Sequence, residues 1–207
     1  MTKNKTILIA TSNRGKAEEI KKIFKDTDFN LKFLFDFPEE TKDLNIVENA
    51  KSFEGNALIK AIVAGDYLNM ITLADDSGLS VDALDGRPGV YSARYSQEGN
   101  DKANCLKVLE EMKDVSDDKR YCRYNCAVAI YDPKTKFVET SFGAWEAKVS
   151  LEPRGDKSFG YAPIVMPKDF NYLKTNAEFD PEDLISINHR GKAFRKAIEI
   201  LEKYLNN

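Results

Sequence analysis

The first half of the chain alternates short apolar runs with amphipathic segments. Runs at 5–11, 31–35 and 71–74 are apolar and rich in β-formers, so they predict three strands, the first one buried. Between them, apolar spacings of three and four predict two helices. The first is marked by Ala17, Ile20 and Phe24, and the second, which Ser52 can cap, turns Phe53, Leu58, Ala61, Ile62 and Leu68 inward. This β-α-β-α-β order predicts an α/β fold with parallel strands at its centre.

The second half of the chain has a different pattern. Residues 121–131 and 136–149 read as strands joined by a hairpin turn over 132–135. A helix is marked by Leu106, Leu109 and Met112, and one final helix is predicted with Asp180 as N-cap, Pro181 at its first position and an apolar stripe of Phe194, Ile198, Leu201 and Leu205. Together the elements predict one domain over 1–207, a mixed β-sheet flanked by helices, in two lobes with a cleft between them.

Composition narrows the class of protein. An apolar share of 42% and a charged share of 31% over 207 residues are typical of a soluble globular chain. A net charge of -3 without a basic block argues against duplex nucleic acid as a partner, and no apolar run approaches the ~18 residues that span a membrane. Cys105, Cys122 and Cys126 lack metal-site spacing and read as free thiols of a reducing compartment, which predicts a cytoplasmic protein. A single histidine, His189, excludes a multi-histidine metal site.

The segment LADDSGLSVDALDGRPGVYSARY, residues 73–95, is the most informative stretch. Asp75 and Asp76 follow a short apolar run, and we expect the strand to end there at a sharp turn through Ser77 and Gly78. Carboxylates at the mouth of a sheet suit Mg²⁺, which takes one or two carboxylates together with substrate phosphates. Taken alone, the pair is equally compatible with a solvated turn.

Two further segments extend this picture towards phosphate chemistry. Residues 11–16 form a strand-turn-helix junction that offers backbone N–H groups and the Lys16 ammonium to an anion, although the P-loop spacing is absent. By itself the junction reads more often as an ordinary capped turn. Glu48 lies in the loop before the second helix and can reach the same sheet edge as Asp76, because parallel sheets gather ligands at the carboxyl ends of their strands. By itself Glu48 reads as a solvated glutamate.

Two later segments suit the recognition of a planar base. The sequence SFGYAP, residues 158–163, offers an aromatic-Gly-aromatic stacking platform, although periodicity alone favours a core strand with a glycine kink. The sequence NHRGK, residues 188–192, places donor side chains in a row that can read an acceptor on a base edge. Its alternative reading is a solvated helix turn.

In this order the segments resemble the inosine/xanthosine triphosphate pyrophosphatase family, whose members act on non-standard purine nucleotides. The resemblance covers nearly the whole chain and is carried by ATSNRGK, ENAKSFEGNALIKA, LADDSGLSVDALDGRPGVYSARY, SFGYAP and NHRGKA. It implies a homodimer whose subunits each have an elongated α/β fold, with a central active-site cleft between two lobes. It also implies Mg²⁺-dependent hydrolysis between the α- and β-phosphates of ITP, dITP or XTP, which yields a nucleoside monophosphate and pyrophosphate.

The resemblance also implies a role for each matching position. Asp76 is the implied general base and a metal ligand, with Glu48 and Asp75 assisting at the metal. The implied substrate-binding residues are Thr11, Ser12, Asn13, Arg14, Gly15 and Lys16 for the triphosphate, Ser77 beside it, and Phe159, Gly160, Tyr161, Ala162, His189 and Arg190 for the base. A donor from His189 or Arg190 to a 6-oxo group would favour inosine and xanthosine over adenosine.

The chain departs from the family at four positions. Ala162 stands where Asp is usual, Leu184 where Lys is usual, Asn188 where Ser is usual, and Gly55 where Glu is usual. The first three fall in the base-side segments, whereas the phosphate and metal segments are intact. This uneven distribution leads to the hypothesis of conserved phosphate chemistry with relaxed or altered base choice.

Two other classes of function stay open on the sequence. One is a nucleotide-binding sensor of the same fold without turnover, against which the intact Lys16, Glu48, Asp75 and Asp76 argue. The other is a purely structural α/β domain whose motifs are turns and caps. Pyrophosphate release would exclude the sensor, and a thermal shift with nucleotide and Mg²⁺ would exclude the structural domain.

Overall fold

A computed structural model describes residues 5–206. Its six strands form one sheet in the order β2-β1-β3-β4-β5-β6. The strands are β1 (Thr6–Ile9), β2 (Asn30–Phe33), β3 (Thr72–Val81), β4 (Tyr121–Asp132), β5 (Phe137–Val149) and β6 (Val165–Pro167). Since β1 pairs in parallel with both β2 and β3 while β6 runs antiparallel to β5, the predicted mixed α/β sheet with parallel central pairing is confirmed.

The helices are α1 (Arg14–Ile23), α2 (Phe53–Leu68), α3 (Asp101–Glu111), α4 (Pro181–Leu184) and α5 (His189–Asn206). The predicted cap of α2 is confirmed, because the Ser52 hydroxyl accepts from the Gly55 N–H. Within residues 5–206, no helix has both the length and the apolar character that crossing a membrane requires.

The chain divides into two compact units. Of the described residues, unit 1 comprises 5–76, 126–143 and 190–206, and unit 2 comprises 77–125 and 144–189. One boundary falls between Asp76 and Ser77, and another between His189 and Arg190. Each of these boundaries divides one of the predicted site motifs between the two units. The predicted central cleft stays a prediction.

In unit 1, helices cover both faces of the sheet. Ile7 and Ile9 of β1 pack with α1 and α5, whereas Leu8 and Ala10 pack with α2. This alternation is the period-2 geometry of a strand. Parallel strands covered on both faces read as continuous apolar runs, which is why β1 is so apolar in sequence.

The buried face of α2 differs from the predicted one at Ile62, which is exposed. The predicted residues Phe53, Leu58 and Leu68 are partly buried against the core, and Ala61 is fully buried. The fully buried residues of the face are otherwise small, Ala57, Ala64 and Gly65, together with Asn56. A Cβ on Gly65 would lie 2.7 Å from Cδ1 of Tyr131, so the helix packs close to the sheet. This close approach leaves the bulky Ile62 on the outer side.

The predicted turn after Asp76 is wrong. Strand β3 continues through Asp75, Asp76, Ser77 and Gly78 as far as Val81, and the reversal comes later. It falls in residues 85–89, a turn rich in glycine and proline. There Asp85 and Gly86 take positive φ angles, and the Gly86 N–H donates to the Val81 carbonyl. Both carboxylates therefore lie in the middle of a strand.

The single C-terminal helix predicted after Asp180 is two helices. Helix α4 has only four residues and ends at Leu184, whose carbonyl accepts from both the Ile187 and the Asn188 N–H groups. This tight turn stops the first helix. Helix α5 then starts at His189, so that His189 and Arg190 stand at its N-terminus.

Unit 2 has its own apolar core, in which Leu79, Val81, Trp145 and Tyr161 are buried. The predicted connection between β4 and β5 is confirmed, since the Lys136 N–H donates to the Asp132 carbonyl over 2.9 Å and the two strands are neighbours in the sheet. The core helix α3 begins after Asn100, whose side chain accepts from the Ala103 N–H.

Candidate active site

Asp75 and Asp76 occupy successive positions on β3 and therefore point to opposite faces of the sheet. Asp75 shares a face with Leu73, which packs with α1 and α5, whereas Asp76 shares a face with Ala74, which packs with α2. The two carboxylates consequently have different partners: Asp75 contacts Lys16, and Asp76 contacts Asn56.

Asp75 is surrounded by cations. The Nζ of Lys16 lies 2.9 Å from its Oδ2, and the Nε of Arg190 lies 3.5 Å from the same oxygen. The Asp75 side chain is only 1% exposed. Burial alone would raise its pKa, but Lys16, Arg190 and Lys60 hold the pKa of Asp75 well below its usual range. Asp75 is thus a permanently charged counter-ion.

Asp76 has an amide donor and a more distant ammonium. Its Oδ2 accepts from the Nδ2 of Asn56 over 3.1 Å, and its Oδ1 lies 3.6 Å from the Nζ of Lys60. Burial raises the pKa of Asp76 above its usual value, although Lys60 and Asn56 oppose this effect. Neighbouring carboxylates whose pKa values are pushed apart are typical of sites in which one group stays ionised and the other exchanges protons.

Glu48 belongs to the same cluster, through Lys60. The Nζ of Lys60 lies 2.6 Å from Oε2 of Glu48, so the ammonium stands between the carboxylates of Glu48 and Asp76. The prediction that Glu48 approaches Asp76 therefore agrees with its position in the structure. Although burial alone would lower it, Asp76, Asp75 and Glu48 raise the pKa of Lys60.

The predicted phosphate turn follows β1 directly. Ile9 pairs with Leu73 in parallel, so the chain after β1 continues alongside the carboxylates of β3. Asn13 caps α1 by accepting from the Lys16 N–H, and the Thr11 hydroxyl accepts from the Asn13 N–H. The first-turn N–H groups of a helix have no partner within the helix and carry its positive dipole end. Residues Ser12, Asn13, Arg14 and Gly15 are exposed, as an anion site requires.

The residues around Asp76 fit a hard divalent cation. Glu48 and Asp76 provide only oxygen donors, and they already hold one positive charge, the Lys60 ammonium, between them. Within residues 5–206, no group of three or more His, Cys, Asp or Glu side chains is arranged to hold a metal ion. Mg²⁺ takes its remaining ligands from water and phosphate oxygens, so two carboxylates suffice for it.

The predicted base-side residues mostly belong to unit 2. Phe159 is 44% exposed, whereas Tyr161 is buried in the core and donates its hydroxyl proton to the Ser92 carbonyl. Gly160 has a φ of 66°, and its N–H donates to the Asp101 carboxylate over 2.7 Å. The segment is therefore a turn tied to α3 rather than a strand with a kink, and Phe159 is its accessible ring.

The neighbouring pair His189 and Arg190 is divided between the units. The His189 ring stacks on Tyr124 of unit 2 with 4.8 Å between ring centroids. Arg190 lies in unit 1, where its Nη1 pairs with Oε2 of Glu19 and its Nε approaches Asp75. Arg190 thus lies in unit 1 beside Asp75, the carboxylate that also binds Lys16 of the predicted phosphate turn. Its predicted contact with the base stays a prediction.

Three departures from the family pattern lie in unit 2. Ala162 and Leu184 are buried, and Leu184 packs in the apolar cluster that includes Tyr161. Asn188 is also buried, next to His189. The predicted substrate-binding residue Ser77 follows Asp76 on β3 and is the first residue of unit 2.

Sequence reasoning missed Lys60, Asn56 and Glu19. Lys60 and Asn56 are four residues apart on α2, which puts them on one helix face. The buried residues around them are otherwise small and apolar. Two polar residues on such a face indicate a polar partner, and this signal was available in the sequence. Glu19 gave no such signal, because its partner Arg190 is 171 positions away.

These features define an α/β protein that brings a helix N-terminus, half-buried lysines and paired carboxylates to one region of unit 1, as a phosphate-handling hydrolase requires. A family model described as the Ham1 family matches residues 7–200, and the chain belongs to this family. The predicted resemblance is thereby confirmed.

The similarity of the chain to its relatives extends over almost its full length. It is 44% identical over 205 residues to the dITP/XTP pyrophosphatase of Oceanobacillus iheyensis, covering 98% of both chains. It is 42% identical to the dITP/XTP pyrophosphatase of Bacillus subtilis, covering 96% of this chain and 98% of that one. The structure of the Staphylococcus aureus Ham1 protein superimposes with a TM-score of 0.83 at 31% identity, covering 96% and 99% of the two chains. The predicted enzyme class, a pyrophosphatase acting on acid anhydrides, is confirmed by these relatives.

Proposed function

We propose that the protein is a Mg²⁺-dependent nucleoside triphosphate pyrophosphohydrolase that removes non-standard purine nucleotides such as dITP, ITP and XTP. The bond broken is the one between the α- and β-phosphates. The names of the relatives support the substrate class. The observation that carries the proposal is the position of the Lys60 ammonium between Glu48 and Asp76, because it brings a distant loop glutamate to the strand carboxylate.

In the proposed mechanism the residues of unit 1 divide the work. Lys16 and the N–H groups of the first turn of α1 bind the triphosphate. Glu48 and Asp76 would hold the Mg²⁺, which supplies charge neutralisation to the phosphate oxygens when bound. Asp76 accepts a proton from the attacking water as the water oxygen bonds to phosphorus, and the bond from that phosphorus to the oxygen bridging the α- and β-phosphates breaks, which releases monophosphate and pyrophosphate. Such a reaction depends on positioning and charge, so no serine or cysteine nucleophile is needed.

Asp75 has a supporting role in this proposal. Its buried carboxylate contacts Lys16 and Arg190, so it orients the lysine that we propose binds phosphate. In this proposal the metal ligands are Glu48 and Asp76. Phe159 is the proposed stacking residue for the purine ring, since it is the exposed aromatic of the base-side turn. Assembly as a homodimer and a cytoplasmic location complete the proposal by resemblance to the family.

The test is product analysis with dITP and XTP in the presence of Mg²⁺. The expected result is one pyrophosphate for each monophosphate and no free orthophosphate. Release of orthophosphate would overturn the assignment of the bond. Binding of nucleotide without any product, seen as a rise in the unfolding midpoint, would favour the sensor.

A second candidate has the same chemistry with a relaxed choice of base. It is favoured by the apolar environment of Leu184 and by the burial of Ala162, because neither side chain offers the charge that the family usually has there. A base left without a polar partner binds less favourably by ~1–3 kcal/mol, so selectivity changes by roughly tenfold or more. Values of kcat/KM for inosine, xanthosine, guanosine, adenosine and deoxyuridine triphosphates decide between the candidates. Strong discrimination for inosine and xanthosine over guanosine would refute the relaxed choice.

A further inference from the structure

Asn56 makes hydrogen bonds to two separate parts of the candidate site. Its Oδ1 accepts from the Ala50 N–H over 2.9 Å, and its Nδ2 donates to Oδ2 of Asp76 over 3.1 Å. The orientation of the amide is defined by chemistry, because an N–H can only donate and an ionised carboxylate can only accept. Asn56 is 1% exposed, so neither bond competes with water.

The two parts joined by Asn56 carry the two proposed metal ligands. Ala50 comes two residues after Glu48, in a segment over 45–50 that has no regular secondary structure. Asp76 lies on the central strand β3. Four residues after Asn56 on α2, Lys60 binds the Glu48 carboxylate itself. One helix face thus holds the loop by its backbone at Ala50 and by its side chain at Glu48.

We propose that Asn56 is a positioning residue that sets the separation of the Glu48 and Asp76 carboxylates and thereby the affinity of the site for a divalent cation. This inference rests on the proposed function, in which these two carboxylates bind the metal. Asn56 itself does not touch the metal in this account. Groups that orient metal ligands in this way typically contribute 10- to 100-fold to metal affinity.

Asn56 is not the cap of its helix. Its N-terminus is already capped by Ser52, and the neighbouring buried positions Ala57, Ala61 and Ala64 are apolar. An amide at a fully buried position loses its hydration, so an apolar residue would fill the site at lower cost if packing were its only task. The loop packs closely here, since a Cβ on Gly55 would lie 2.7 Å from Cβ of Ala50.

Asn104 provides a matched control in unit 2. It is also a buried asparagine on a helix, α3. Its Oδ1 accepts from the Ser96 N–H over 2.7 Å, and its Nδ2 donates to the Ser92 carbonyl over 3.3 Å. Like Asn56, it therefore holds a backbone N–H, but in residues 5–206 its Nδ2 donates to the backbone carbonyls of Ser92 and Ala93 instead of a carboxylate. Removal of either amide takes the acceptor from a part-buried backbone N–H and so destabilises the fold, whereas only the removal of Asn56 also takes a donor from Asp76.

The experiment compares Asn56→Ala, Asn56→Ser and Asn104→Ala with the wild type at a temperature at which all are folded. Binding of Mn²⁺ alone is measured from the free-ion signal in electron paramagnetic resonance, and the Mg²⁺ dependence of turnover is measured with dITP. Asn56→Ala is expected to weaken Mn²⁺ binding and to raise the Mg²⁺ concentration for half-maximal turnover by roughly 10- to 100-fold. Asn104→Ala is expected to change neither, and Asn56→Ser, which retains a smaller polar group, keeps the test valid if the alanine variant does not fold.

A double-mutant cycle with Glu48→Gln separates positioning from general destabilisation. If Asn56 acts through Glu48, its substitution changes metal binding little once the Glu48 carboxylate is absent, so the two effects are not additive. Additive effects, or an equal loss in Asn104→Ala, would overturn the inference. A wild type that releases no pyrophosphate and binds no Mn²⁺ would instead overturn the proposed function, so the two failures are distinguishable.

Discussion

The ammonium group of Lys16 lies 2.9 Å from Oδ2 of Asp75, a carboxylate with almost no solvent exposure. The two residues are 59 positions apart, and their contact joins the first turn of α1 to the middle of β3. Because Asp75 also faces Arg190, the lysine that we propose for phosphate binding is part of a buried network of alternating charges that continues to Glu19. The network distinguishes Asp75, a charge that organises the site, from Asp76, which we propose performs the chemistry.

The first prediction concerns stability. Asp75→Asn removes the buried carboxylate shared by the buried Arg190 and the half-buried Lys16. The free energy of unfolding should therefore fall by about 3–5 kcal/mol, as for other buried ion pairs that lose one member. Denaturant unfolding measures this change. Asp117→Asn is the control, because the Asp117 side chain pairs with Lys148 but is 73% exposed, and a loss within ~1 kcal/mol is expected there. An equal loss in both variants would contradict the role of Asp75.

The second prediction concerns turnover. Asp76→Asn keeps the shape of the side chain but cannot accept a proton, so pyrophosphate release should fall by at least ~100-fold, the usual contribution of a general base. Denaturant unfolding is measured beside turnover, because the substitution also alters the contacts of Asp76 with Asn56 and Lys60. Asp82→Asn serves as the control, since Asp82 pairs with Arg123 at the surface of unit 2. Undiminished turnover in Asp76→Asn would refute its assignment as the base.

The third prediction concerns the metal. Chelation of divalent cations should abolish turnover, and Mg²⁺ should restore it. Without the cation, the carboxylates of Glu48 and Asp76 add their negative charge to that of the phosphates instead of neutralising it. Glu48→Gln should raise the Mg²⁺ concentration needed for half-maximal turnover. Glu54→Gln is the matched control on the first turn of α2, where Glu54 accepts from the Thr140 hydroxyl instead. Turnover that persists in the presence of chelator would exclude the metal-dependent mechanism.

The fourth prediction concerns the base. Phe159→Ala should raise KM for all purine triphosphates by an amount equivalent to ~1–3 kcal/mol, because stacking on an aromatic ring is insensitive to the identity of the base. The ratios of kcat/KM among the bases should stay close to those of the wild type. Phe142 has similar exposure in unit 1, and Phe142→Ala should leave KM unchanged. A change in the ratios with KM unaltered would assign Phe159 to base selection instead.

The fifth prediction concerns the thiols. Cys105, Cys122 and Cys126 are free and buried, as predicted. Burial, together with the charge of Asp101, raises the pKa of Cys105 to about 12, and burial raises the pKa of the other two as well. Since the thiolate is the reactive form, the folded protein should resist alkylation at neutral pH, and reactivity should rise only towards strongly alkaline pH. Rapid labelling of the folded chain at neutral pH would contradict this placement, whereas the unfolded chain should label at all three positions.

Local pattern was sufficient for most of the fold. Strand β1, the cap of α2 by Ser52 and the β4–β5 connection depend on neighbouring residues, and each was predicted correctly. Pattern failed where a long-range partner decides. Strand β3 continues past Asp76 although its neighbour β1 ends opposite Leu73, and its other neighbour in the sheet is the 12-residue strand β4. No signal within residues 71–78 shows this.

The sequence by itself determined the family, the mixed α/β fold and the residue types that the site can use, because these follow from contiguous motifs and their order. Only the tertiary structure decided which partner each charge has. Asp75 and Asp76 are adjacent in the chain, yet strand geometry turns them to opposite faces, one towards Lys16 and the other towards Asn56 and Lys60. A charge acquires its role from the groups within a few ångströms of it, and here those groups come from α1 and α2, remote in sequence from β3.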